Sequence, residues 1–96
     1  MENLAVMAAN HRSGDMRVHL LLFAHYRDIA GTGALELDVP AGSTAADVVR
    51  ILRSSGGGYA RLPDAPAIAL NMEYVPLGTA VRDGDEVALL PPVAGG

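Results

Sequence analysis

The sequence predicts an α+β domain: a mixed sheet with central, parallel terminal strands and one main helix on one face. Three observations carry that prediction. The first is a nearly continuous apolar run, Val18 to Ala24, at the start of the domain. The second is a matching apolar run, Glu86 to Leu90, near its end. Apolar character on both sides of a strand implies cover on both faces or a central place in the sheet. The third is a single strong helical pattern between them, with apolar residues at 45, 48, 49 and 52.

Each element follows from local chemistry. Met16 opens the first strand pattern, Arg17 to Ala24, and Gly31-Thr32-Gly33 reads as a turn cluster. Ala34 to Val39 alternates with period two, the mark of a strand with one wet face, and Pro40-Ala41-Gly42 ends it. Ser43 or Thr44 is suited to cap the helix Ala45 to Arg53. Asp47 in its first turn and Arg50 and Arg53 near its end complement the helix dipole. Gly56-Gly57-Gly58 reads as a helix stop. Tyr59 to Pro66 holds two prolines and reads as a loop with room for one helical turn. Ala67 to Asn71 is a short strand, and Met72 to Val75 continues past a turn at Asn71. Arg82-Asp83-Gly84-Asp85 is a tight turn before the last strand, and Pro91-Pro92 stops that strand because neither proline can donate to a ladder. A tight hairpin, one helix and three further strands give the β-grasp arrangement. A ferredoxin-like fold would need a second well-formed helix, and a small barrel would need none.

Composition excludes several functions. The chain has 96 residues and a formal charge of −4, with seven basic side chains, all Arg, against eleven acidic ones. A nucleic-acid or anionic-membrane binder needs the opposite balance. Cysteine is absent, so disulfides, thiolate metal sites and a cysteine nucleophile are excluded. The apolar stretch Leu20 to Ala24 is far too short to span a bilayer. Residues 1–15 are expected to be a flexible N-terminal extension, 16–90 the folded domain and 91–96 an extended tail. The acidic start does not suit a secretory signal, so the expected location is cytoplasmic.

Candidate catalytic groups are sparse. His11, His19 and His25 lack carboxylates at ligand spacing, so no metal site is expected. Gly56-Gly57-Gly58 follows a helix and lacks the Lys-Ser/Thr of a phosphate loop. Asp83-Gly84-Asp85-Glu86 lacks the longer loop that calcium needs and is expected to be a solvated turn. The tail is more informative. Pro91 and Pro92 bias it toward a stiff extended exit, Val93 and Ala94 taper it, and Gly95 and Gly96 bring no Cβ into a narrow channel. Extended, residues 91–96 reach about 20 Å, at ~3.3–3.6 Å per residue. Alternation along the strands further exposes Phe23 and Leu90 on the sheet face that the helix leaves open, as a docking patch.

These features resemble the ubiquitin-like sulfur carriers, and most closely the small subunit of molybdopterin synthase (the MoaD family). The residues that carry the likeness are Val18 to Ala24 with Arg27-Asp28 and Gly31, Ala69-Leu70-Asn71, Asp83 to Ala88, and Pro91 to Gly96. The last two blocks are the most specific. The resemblance implies that an E1-like adenylyltransferase spends ATP to adenylate Gly96. A sulfur-donating enzyme then turns it into a thiocarboxylate. The tail enters the large catalytic subunit and gives sulfur to a cyclic pyranopterin precursor of the molybdenum cofactor. It also implies that Phe23, Tyr74 and Leu90 contact both partners, that this chain binds no cofactor, and that it is not catalytic alone. A carrier for thiamine, cysteine or tRNA thiolation, or a ubiquitin-like protein modifier, remains an alternative on the same residues.

Overall fold

The structure, a computed structural model, describes residues 15–92. The expected N-terminal extension, apart from Asp15, and Val93, Ala94, Gly95 and Gly96 of the tail lie outside the described residues. In chain order the elements are β1 (Asp15–Leu22), α1 (Ala24–Ala30), β2 (Ala34–Pro40), α2 (Ala45–Arg53), a 3-10 turn (Gly57–Arg61), β3 (Ala67–Leu70), β4 (Glu73–Val75) and β5 (Glu86–Leu90). The described residues form one sheet in the order β2-β1-β5-β3-β4. The first and last strands lie side by side and parallel, with Leu20 opposite Val87 and Leu22 opposite Leu89. The other pairings are antiparallel. This is the β-grasp arrangement that the two apolar runs predict.

The core lies between the sheet and α2. Val18, Leu20 and Leu22 of β1, Leu35, Leu37 and Val39 of β2, and Val87 and Leu89 of β5 are buried together. From α2 come Ala45, Val48, Val49 and Leu52, the apolar stripe read from the sequence. Helix α2 starts where it does because Thr44 and Asp47 form a reciprocal cap. The Thr44 hydroxyl accepts from Asp47 N–H at 3.2 Å, and the Asp47 carboxylate accepts from Thr44 N–H at 3.0 Å. The next two orphan N–H groups, of Ala45 and Ala46, donate to the carbonyls of Thr79 and Leu77. Thus the irregular segment after β4 completes the helix start.

The cap gives a pH-dependent contribution. Asp47 sits below the ordinary carboxylate range, first because Thr44 N–H donates to it and next because the Arg50 guanidinium does. A folded-state pKa below the unfolded one stabilises above the unfolded value and loses that effect as pH falls through the folded one. Thermal melts of Asp47→Asn and the parent chain should therefore differ at pH 7. They should converge on acidification below about pH 4, the ordinary Asp range.

Two local expectations are corrected and a third is extended. The apolar run ends its strand at Leu22, and Phe23 and Ala24 turn into α1, a seven-residue helix that replaces the tight hairpin. Its pattern is weak because the N-cap, Phe23, makes no side-chain cap bond and Tyr26 is the one buried residue of the seven. Ala24 takes φ +51°, which breaks the strand, and Gly31 closes the helix at φ +83° in the left-handed region that favours glycine. Second, α2 is capped by Ser54 before the glycines are reached. Gly58 serves close approach instead: a Cβ there would overlap the Ile29 carbonyl oxygen and lie 3.2 Å from Ala30 Cα. Third, the Asp83–Asp85 turn is structural as well as wet. Asp83 accepts from Arg17 N–H at 2.7 Å, while Asp85 accepts from Asn71 Nδ2 at 2.9 Å and from Arg82 N–H at 2.8 Å. Its carboxylates thus clasp the start of β1 to the turn between β3 and β4.

Candidate docking face and tail exit

The face of the sheet opposite α2 is built by strand alternation. Leu21 stands opposite Ala88, Ala88 opposite Ala69, and Ala69 opposite Tyr74. This places one row of side chains across β1, β5, β3 and β4. Toward the end of β5, Leu90 stands opposite Ala67. The register Leu22–Leu89 brings Phe23 and Leu90 to this same end of the sheet. Phe23 is 43% exposed and Tyr74 78% exposed, while Leu90 is half-buried. Phe23 thus remains on the surface although it caps a helix and does not continue the strand. Tyr74 shares the open face with Leu90 but lies on β4, two strands away, or roughly 10 Å.

The rest of this face is charged. Arg17 donates through Nε to Asp38 at 2.7 Å and through Nη2 at 3.2 Å, with Glu36 at 3.6 Å from Nη1. His19 Nδ1 lies 3.3 Å from Glu36. The Asp38 hydrogen bond, above all, holds the guanidinium yet more firmly protonated. The open face is therefore divided, with paired charges over β1 and β2 and apolar side chains toward the end of β5.

Leu90, Pro91 and Pro92 lead off the apolar end. Beside them lies a cleft of about 240 Å³. Its walls are Tyr26 of α1, Pro63, Ala65 and Pro66 before β3, Ala67, and Leu90 and Pro92 at the root of the tail. Tyr26 is only 4% exposed, and burial pushes its phenol above the ordinary value. Its ring meets His25 edge-on at 4.8 Å between centroids. Sequence patterning gave no sign of Tyr26 or of Gly58. Gly58 matters through the contact of the 3-10 turn with α1 and Tyr26 through the segment before β3, about thirty to forty residues away, and α1 is too short for a period to reveal its face.

The one histidine–carboxylate pair on this face, among the described residues, is His19 with Glu36, away from the tail exit. Among the described residues no three His, Cys, Asp or Glu side chains group in a way that could hold an ion. What the geometry offers is a central strand, β5, followed by two prolines and flanked at that end of the sheet by the exposed Phe23 and the half-buried Leu90.

A five-stranded mixed sheet with its first and last strands parallel at the centre and a helix packed across one face belongs to the ubiquitin-like β-grasp class. Comparison with known proteins specifies it further. The ThiS family model matches residues 20–96, and the chain belongs to that family. The molybdopterin synthase sulfur carrier subunit of Drosophila erecta is 37% identical, over 84% of this chain and 92% of the relative. Small archaeal modifier protein 1 of H. volcanii superposes with a TM-score of 0.71 at 30% identity, covering 81% of this chain and 99% of that one. A chain from the complex of subunits 1 and 2 of the molybdopterin-converting factor of Helicobacter pylori superposes with a TM-score of 0.58 at 29% identity. That match covers 84% of this chain and 100% of the other.

Proposed function

We propose that this chain is the sulfur carrier subunit of a molybdopterin synthase, with Gly96 as its working group. The observation that carries the reading is likeness to a named carrier over nearly its whole length, joined to a central strand that ends in a tail. The chemistry explains each requirement. A carboxylate is a poor electrophile, so the activating E1-like partner spends ATP to make the Gly96 acyl-adenylate and release pyrophosphate. Sulfide released by the sulfur donor attacks the acyl carbon and AMP leaves, which gives the thiocarboxylate. The sulfur comes from outside because the chain holds no cysteine. The large subunit, which corresponds to the second subunit in the Helicobacter pylori complex, receives the tail. There sulfur passes to the pyranopterin precursor, water restores the carboxylate, and two rounds complete a dithiolene. Gly95 and Gly96 let the reacting carbon enter a narrow channel, while Pro91, Pro92, Val93 and Ala94 give it reach. The cytoplasm is the compartment that this reading implies.

Phe23, Tyr74 and Leu90 form the docking patch in this reading. At ~25 cal/mol per Å², burial of each is worth on the order of 1–2 kcal/mol. Phe23→Asp should leave the melting curve nearly unchanged, since Phe23 lies outside the buried core. It should weaken binding to the large subunit about tenfold or more. Equal affinity for the variant and the parent chain would remove the patch from the interface.

A second reading, a ubiquitin-like protein modifier, draws support from the superposition on the archaeal modifier. Mass spectrometry of the chain taken from cells separates the two. A terminus heavier by the difference between sulfur and oxygen supports the carrier, and isopeptide adducts on other proteins support the modifier. The chain has no lysine, so chains built through its own side chains are ruled out in either case.

A further inference from the structure

We propose that the cleft at the root of the tail is a recognition site for the large subunit, taking one apolar side chain whose main-chain carbonyl accepts a hydrogen bond from the Tyr26 hydroxyl. The inference rests on the carrier reading and deepens it. Two independent observations support it. The first is the cleft, about 240 Å³, whose walls are carbon apart from Tyr26 and main chain. Pro63, Pro66 and Pro92 have no N–H to offer, so an occupant must be largely apolar. The second is Tyr26, which is 4% exposed. Among the described residues its hydroxyl has no hydrogen-bond partner, and the residue lines the cleft. A phenol at the wall of an open cleft, with no acceptor among the described residues, leaves a donor available to whatever fills the cleft.

Position selects the occupant. Pro92 forms part of the wall, so the opening lies at the root of the tail that the large subunit receives in this reading. Leu90 belongs both to the cleft and to the docking patch, which makes the two surfaces continuous. A carboxylate in place of the carbonyl would bring a charge into an apolar wall at large desolvation cost. A neutral carbonyl next to an apolar side chain satisfies both features of the cleft.

The test is titration calorimetry of the purified large subunit with the parent chain, Tyr26→Phe and Ala65→Phe. Tyr26→Phe keeps the ring and removes the hydroxyl. The free variant should melt at the same temperature as the parent or higher, and its affinity should fall about tenfold, because the partner's carbonyl is left unsatisfied. Ala65→Phe starts from an exposed wall position, fills the cleft, and should weaken binding comparably without unfolding the domain. Unchanged affinity in both variants would overturn the proposal. A parent chain that does not bind the subunit would overturn the carrier reading itself. If Tyr26→Phe lowers the melting point of the full chain but not of a chain ending at Pro92, the cleft serves the chain's own tail and the proposal fails. Self-association of the free chain that depends on Tyr26 would assign the cleft to a second copy and equally overturn it.

Discussion

A chain lacking Gly96 is expected to fold as the full-length protein does and to transfer no sulfur. Among the described residues the core reaches Leu89, and the strand pairings of β5 are complete by Leu90. Removal of the last residue should therefore leave the circular dichroism spectrum and melting temperature unchanged. The reacting carbon, however, moves back by one residue, about 3.3–3.6 Å. Group transfer needs reacting atoms within about 3–3.5 Å and in line, and a displacement of about 1 Å can already lower a rate a hundredfold. Pro91 and Pro92 make the loss harder to recover, because a stiff exit cannot stretch to compensate. The assay is dithiolene formation with the activating enzyme, sulfur donor and large subunit supplied. Full activity from the shortened chain would remove the terminal glycine from the mechanism.

The second large effect is on stability. Gly58→Ala is expected to destabilise the domain by about 3 kcal/mol, as overpacking against a fixed neighbour does. The added Cβ would overlap the Ile29 carbonyl oxygen and crowd Ala30 Cα. Both neighbours are backbone in the last turn of α1, so no side chain can swing aside. Relief requires α1 to move from the 3-10 turn, and α1 carries Tyr26, while Phe23 caps it. For a domain of this size the melting temperature should fall by roughly 10–20 °C. Binding to the large subunit should weaken beyond what the loss of folded protein explains. Gly57→Ala adds a Cβ to open space, though at φ +57°, and is the control for a purely conformational penalty. Equal melting temperatures for the two variants would show that close approach at Gly58 is not what matters.

The sheet was legible because its signals are local and repeated. Six residues of β2 alternate without interruption, and β5 runs unbroken from the Asp83–Asp85 turn to the two prolines. The stripe of α2 spans more than two turns. Alternation also placed Val18, Leu20 and Leu22 inward and Leu90 outward, as the structure has them. The first helix was not legible. Phe23-Ala24 prolongs the apolar run of β1, no capping side chain marks a start, and seven residues are too few to establish a period. Tyr26 is buried through long-range packing that propensity does not encode, and Gly58 is required by a backbone segment far away in the chain. Likewise, Asp83 and Asp85 carry the signature of any exposed turn. Their role appears only when the start of β1 and Asn71 are brought beside them.

The adjacency of β1 and β5 has a consequence for biosynthesis. The middle strand of the sheet is the last described element to leave the ribosome, and it must insert between two strands that have already been made. Until it does, β1 and β3 have unsatisfied edges facing one another, and the growing polypeptide has no native partner for either. Prematurely terminated products consequently lose the middle of the sheet, not its rim. They should be degraded as unfolded material and should not persist as dead-end competitors for the partner subunits.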